Sequence, residues 1–336
     1  MIIFLLLSCL FNAAIAATYS VYAEYGLNLG TIVPMRIENL LSKAGVVVLP
    51  YTSESSLPNG SLILSFGNSS LSNKFLSLED VKDEGFRIMS IIYKDANLIM
   101  SNGQPINMKG KSNAKNLDIV HYGAVVGAYA VLEQLGFSFL QPMDPIIPSL
   151  LTLPVSDISK TESPFWPKRT WQILPQISLS SSEVPSVFLF YRNSIKDIIT
   201  IQFCLSKLCI KSSAMNELFE WFISNRQNRV EVQLSNTIKN FNLQKTQIFN
   251  QLQQINKVSH SYGIQIGADI SIYNSNITST RSIQQQQVDI QQRIAWAYAA
   301  HYDFISTELR LMEFTRSSCS NMLSLYQVFF NQNSKY

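Results

Sequence analysis

The chain has 336 residues, 46% of them hydrophobic and 15% charged, with a formal net charge of +3; this leaves room for two domains with buried cores. The positive charges form no runs, which excludes a nucleic-acid footprint. Four cysteines and three histidines are too few for a disulfide scaffold and show no zinc-type spacing, so neither a metal nor another cofactor is expected.

Residues 1–16 (MIIFLLLSCLFNAAIA) are apolar, carry no charged side chain and end in Ala14-Ile15-Ala16. That is an h-region with a small-x-small cleavage signal, shorter than the ~20 residues that span a bilayer. A signal peptide over 1–16 and a secreted mature chain with no membrane span are expected. Asn59, Asn68 and Asn276 each begin an N-x-S/T sequon, a glycosylation signal that acts only in the secretory pathway. Cys9 leaves with the signal, and a local Cys204–Cys209 bridge would leave Cys319 unpaired.

A first domain is expected over residues 18–154. Strands are predicted at 61–66, 86–93 and 97–101, the last two separated by the turn-like Lys94-Asp95-Ala96. Residues 123–135 read as a helix, with Val125, Tyr129, Leu132 and Leu135 at helical spacing. Gly136 sits where a C′ glycine belongs. A short strand at 137–140 follows, and prolines at 142, 145 and 148 then interrupt regular structure.

The second region, 165–336, is more regular. Strands are predicted at 169–174, 229–234, 264–272 and 303–309. Helices are predicted at 215–225, across Ile248, Leu252, Ile255 and Val258, at 288–302 and at 317–330. Such alternation calls for parallel strands with helical crossovers. No Gly-rich phosphate loop follows any strand, which disfavours a nucleotide-binding doubly wound sheet. The expected fold class is therefore α/β: a small α+β accessory domain followed by an incomplete (β/α)8, TIM-type, barrel of about four βα units. Residues 175–213 carry no pattern used in this reading. The Gln/Asn-rich patches at 251–256 and 284–287 read as solvated helix faces.

The stretch HYGAVVGAYAVLEQLGFSFLQPMDPIIP (121–148) resembles the end of the accessory domain that precedes the barrel in hexosaminidase-like and α-glucuronidase-like glycoside hydrolases. Gly123, Gly127, Tyr129, Leu132, Glu133, Leu135 and Gly136 carry the match, and Glu84-Gly85-Phe86 resembles the start of a strand in that domain. PKRTWQIL (167–174) is similar to the first barrel strand, where an arginine commonly holds sugar hydroxyls. MNELFEWFISNRQNRVEVQL (215–234) is similar to the unit of helix, then x-x-N-R-x-N, then strand. The resemblance implies a secreted carbohydrate-active protein whose partner is an oligo- or polysaccharide, hydrolysing O-glycosyl bonds with acid/base carboxylates. The alternative is a catalytically inactive carbohydrate-binding or structural half-barrel.

Glycoside hydrolysis needs two carboxyl groups flanking the bond, and barrel chemistry sits at the C-terminal ends of strands. Glu308, near the end of the fourth predicted strand, is the candidate general acid, and Glu313 follows in the next loop. Two solvated loop carboxylates would give the same pattern. Hexosaminidases carry adjacent Asp-Glu here. This chain has Thr307 before Glu308, and Asp303 stands at the strand start, so N-acetylhexosamine specificity is not implied. No second carboxylate from a late strand is present. Arg169 suits a pair of sugar hydroxyls or a salt bridge at the domain junction. Trp171 suits a stacking platform or the core, and Asp269 suits sugar hydroxyls or buried polar pairing. His260 and His301 lie near predicted helix ends and His121 precedes a helix, with no catalytic role expected. Asn276 falls in a βα loop on the expected catalytic face. If the barrel is a half, its open edge calls for self-association or a partner that covers it.

Overall fold

The computed structural model describes residues 21–52, 57–106, 120–141, 144–149, 151, 158–165, 169–175, 190–192, 199–203, 212–233, 253, 256–270, 282–306 and 319–333. The chain is α/β, with two six-stranded sheets and a two-stranded one among the described residues.

The first sheet is built from β1 (Val21–Tyr25), β2 (Val48–Pro50), β3 (Leu62–Phe66), β4 (Phe86–Tyr93), β5 (Ala96–Gly103) and β8 (Ser159–Glu162), in the order β2-β1-β3-β5-β4-β8. Its β2, β1, β3 and β5 run parallel, whereas β4 is antiparallel to both of its neighbours. Every residue of β3 is buried, as a strand covered on both faces must be. On one face lie α1 (Ile32–Lys43) and α3 (Tyr122–Gln134); on the other, α2 (Ser70–Phe75) closes a smaller cluster with Ile63, Leu71, Leu98 and Met100. Helix α1 buries Val33, Ile37, Leu40 and Leu41, an i, i+4, i+7, i+8 stripe. Its Pro34 falls in the first turn, where no intrahelical donor is lost.

The β4–β5 turn forms at the predicted place. Lys94 and Asp95 take φ of 49° and 63°, the two left-handed residues a type I′ hairpin requires. Helix α3 is buried from Tyr122 through Leu132, which suits a helix apolar all round. Its two motif glycines explain that position. A Cβ on Gly123 would stand 2.3 Å from the Gly85 carbonyl oxygen, and one on Gly127 would stand 3.2 Å from the Phe86 Cβ. The helix therefore rests on the backbone of the sheet. It ends in a Schellman turn: Gly136 at φ 100° donates to the Glu133 carbonyl and Phe137 to the Leu132 carbonyl.

After α3, β6 (Ser138–Gln141) and β7 (Asp144–Ile146) form a separate antiparallel pair. Pro145 lies within β7, so the prolines do not end all regular structure; a two-stranded ribbon leaves edge positions that tolerate the missing donor. The first sheet then continues past residue 154, because β8 returns to pair with β4.

The second sheet comprises β9 (Thr170–Pro175), β10 (Phe190–Arg192), β11 (Ile199–Phe203), β12 (Arg229–Gln233), β13 (Gln265–Asp269) and β14 (Phe304–Ser306), in the order β10-β11-β9-β12-β13-β14. All of these are parallel to their neighbours except β10, which pairs antiparallel with β11. The helices are α4 (Ser212–Ser224), residues 256–261, α5 (Ile283–Ala299) and α6 (Cys319–Asn333). This is the β-α alternation expected of a partial TIM-type arrangement. Strands β10 and β11 occupy the stretch 175–213 that sequence periodicity leaves unassigned. Helix α5 begins at Ile283, ahead of the predicted 288, because Ser282 and Gln285 form a capping box. Leu218, Phe219, Phe222 and Ile223 of α4 are buried as their stripe predicts. Among the described residues, no helix is long and apolar enough to cross a membrane.

Candidate functional site

The register of the second sheet separates two faces. Val230, Ile266, Ala268 and Ile305 are buried in the main core beneath the helices. The alternate positions form three rows: Arg229 beside Gln265, then Glu231–Gly267–Phe304, then Gln233–Asp269–Ser306. Because successive side chains of a strand point to opposite faces, Arg229, Glu231, Phe304 and Ser306 share the face away from the core. A barrel turns that face inward. Among the described residues of β12, β13 and β14 it is polar, with one aromatic ring.

The geometry there is specific. Gly267 leaves space for the Phe304 ring, since a Cβ at that glycine would lie 2.2 Å from the ring. The Arg229 guanidinium stands 5.0 Å from the centre of the same ring, within cation–π range. Burial pushes the Arg229 guanidinium below its usual range, and the Glu84, Glu231 and Asp303 carboxylates draw it back up. Burial also raises the Glu231 carboxyl above its ordinary value, against the opposing pull of the Ser306 hydroxyl and Arg229. Beneath them, one Asp303 oxygen accepts from His260 Nε2 at 2.9 Å and from the Ile266 amide at 2.7 Å. The other Asp303 oxygen and Arg229 Nε are buried and have no hydrogen-bond partner among the described residues. A half-buried carboxyl, a desolvated guanidinium and an aromatic ring are groups that recognise a polyhydroxylated ligand.

The predicted site residues scatter. Asp269 takes the last row, on the C-terminal edge with Gln233 and Ser306. Trp171 lies beside the fully buried Val230 in register. Arg169 stands at the opposite, N-terminal edge: its Nη2 donates to Glu84 Oε2 at 2.9 Å and its Nε to the Arg226 carbonyl. Of the two roles open to Arg169, the structure places it in the junction ion pair, far along the strands from the row of Asp269. Glu308, Glu313 and Asn276, with Cys204 and Cys209, lie outside the described residues; Asn59 and Asn68 are exposed. His121 stands at the N-cap position of α3 without a side-chain capping bond, its Nδ1 3.3 Å from Asn28 Nδ2. No group of three or more His, Cys, Asp or Glu side chains that could hold a metal occurs among the described residues.

Arg229 and Glu231 are the site residues sequence reasoning passed over. Their signal was present: RVEVQL alternates charged or polar residues with apolar ones, and a strand whose valines enter the core must aim the others the opposite way.

Neither a protein-family model nor a curated protein matches the sequence. Solved structures do. A mutant Streptomyces plicatus beta-hexosaminidase in complex with product (GlcNAc) superposes with a TM-score of 0.54 at 11% identity, over 94% of this chain and 60% of that one. A GH20 exo beta-N-acetylglucosaminidase from Vibrio harveyi, in complex with N-acetylglucosamine, gives 0.47 at 10% identity over 92% of this chain and 46% of that one. The chain thus spans 60% or less of the length of these solved chains. By this likeness the chain has the fold of the hexosaminidase-like glycoside hydrolases.

Proposed function

We propose that the protein is a secreted carbohydrate-active protein of glycoside-hydrolase type, built on an incomplete (β/α)8 barrel of about four βα units, with the polar face of the parallel sheet as its saccharide site. One observation carries the reading: Arg229, Glu231 and Phe304 share the face that a barrel encloses, and all three are partly withdrawn from water. In this reading Arg229 and the Phe304 ring, at the starts of their strands, form the floor of the site and hold Glu231 in place. Glu231 accepts from a hydroxyl. Asp269 adds a second acceptor from the C-terminal row.

Chemistry is assigned to Glu308, which follows Ser306, the last residue of β14, by two positions in the sequence. It serves as general acid toward the leaving oxygen, and Glu313 is the second carboxyl of the pair. The leader at 1–16 and the sequons at Asn59, Asn68 and Asn276 support passage through the secretory pathway. The test is hydrolysis of a nitrophenyl glycoside panel by the secreted full chain. Glu308→Gln should lower kcat by 10²–10⁴-fold, the usual contribution of general acid catalysis, while leaving sugar binding intact. Hydrolysis at the wild-type rate in Glu308→Gln would remove Glu308 from the mechanism.

A further inference from the structure

We propose that Glu84 and Arg226 form a reciprocal clasp that makes the accessory domain the template on which the first strands of the parallel sheet are set. Both are non-glycine residues in the left-handed region, with φ of 63° and 59°, a conformation that disfavours side chains other than glycine. Such backbone persists where the surroundings over-determine it, and here each residue reaches across the domain boundary.

Glu84 belongs to the accessory domain and is 7% exposed. Its Oε2 accepts from Arg169 Nη2 at 2.9 Å and from Asn228 Nδ2 at 2.7 Å. Arg169 and Asn228 immediately precede β9 and β12, and they are bonded to one another. The Arg169 amide donates to Asn228 Oδ1 at 2.8 Å, and the Arg229 amide donates to the Arg169 carbonyl at 3.1 Å. One buried carboxylate thereby ties together the starts of two adjacent strands, next to the pairing of Arg229 with Thr170.

Arg226 reaches the other way. It follows α4 at the C′ position, its amide donating to Ile223 and that of Gln227 to Phe222. Its guanidinium donates to both Glu133 oxygens on α3, at 3.2 and 2.9 Å, and to Glu162 on β8 at 3.0 Å. It also lies 5.6 Å from the centre of the Phe86 ring. Asn225 adds a bond to the Phe139 carbonyl at 3.4 Å. The N-R-x-N sequence of residues 225–228 is thus the clasp itself, and its carboxylate partners all come from the accessory domain.

Glycine substitution separates this from a local role. At a left-handed position, glycine relieves strain and ordinarily stabilises. The clasp predicts the reverse for Arg226→Gly and Glu84→Gly. In the full chain, each should lower the Tm by several degrees, and Glu84→Gly should speed hydrogen exchange of the Arg229 amide at least tenfold. An unchanged or higher Tm with unchanged exchange would overturn the proposal. Should Glu84→Gly not fold, Glu84→Gln and a double-mutant cycle of Glu133→Gln with Arg226→Gly decide the matter. Coupling of threefold or more in the unfolding equilibrium constant supports the clasp, and additive effects reject it.

Discussion

Gly123→Ala tests whether the packing of α3 against sheet backbone governs this part of the fold. Alanine is the better helix former, by up to about 1 kcal/mol in a helix interior. Gly123 is only the second residue of α3, so that gain is at the low end. Against it, the new Cβ would stand 2.3 Å from the Gly85 carbonyl oxygen, 2.7 Å from that of Gln104 and 2.8 Å from the Gln104 amide. All three are backbone atoms and cannot rotate aside. Restoring an ordinary contact of 3.4 Å requires the helix to lift by about 1 Å, and gaps of that size forfeit a quarter to a half of each dispersion contact they open. Overpacking of this kind costs about 1–3 kcal/mol. Two more bonds are stretched, from Gly123 to Gln104 and from Gln104 to Gly85, at 2.9 and 2.8 Å. The net expectation is a loss of about 2 kcal/mol, roughly thirtyfold in the unfolding equilibrium. Equilibrium urea unfolding followed by circular dichroism reads it directly. Gly127→Ala, meeting the Phe86 Cβ at 3.2 Å, the Ser101 Cβ at 3.4 Å and the Phe86 Cδ2 at 3.5 Å, should change stability by less than about 1 kcal/mol. A Gly123→Ala protein as stable as wild type would refute the close-approach argument.

Three further outcomes follow from the same geometry. Glu231 has a folded-state pKa raised by burial above its ordinary 4.5. Its ionisation therefore opposes folding as pH climbs above 4.5, and Glu231→Gln should be more stable than wild type at pH 8 but not at pH 4; urea unfolding at the two pH values checks this. Asp95→Gly removes a side chain at φ 63° while keeping the Asp95 carbonyl that accepts from Gly60, and thermal unfolding should show a gain of about 1 kcal/mol. Glu220 is 1% exposed and ion-paired with Arg36 of α1; Glu220→Ala leaves that guanidinium without its carboxylate partner and should cost about 3–5 kcal/mol in urea unfolding.

Local signals made much of the fold legible. The stripe of α3 and the glycine at 136 announced a buried helix with a left-handed stop, and the alternation of 165–336 announced parallel strands. Strands β10 and β11 were not legible, because three to five residues carry too little periodicity and the pairing of β11 with β9 is long-range. The start of α5 was missed for want of recognising Ser282 and Gln285 as a cap. Glu84 and Arg226 mark a different limit: a turn closed by the Gly85 amide on the Lys82 carbonyl and the C′ position after α4 account locally for their left-handed backbone, whereas their ion-pair partners are distant in sequence. At the site, Arg169 was legible as a residue with two roles, and its ion pair with Glu84 shows only in three dimensions. Arg229 and Glu231 could have been found by asking where the non-valine positions of RVEVQL point.

The central claim is that the polar face of the parallel sheet takes a saccharide. Saturation-transfer NMR with a panel of neutral, N-acetylated and acidic oligosaccharides tests it most directly, on the full chain and on Arg229→Met and Glu231→Gln. The account predicts transfer to at least one sugar in the wild-type chain, and at least tenfold weaker binding in both variants with their circular dichroism unchanged. No transfer to any sugar, or binding untouched by both substitutions, would contradict it.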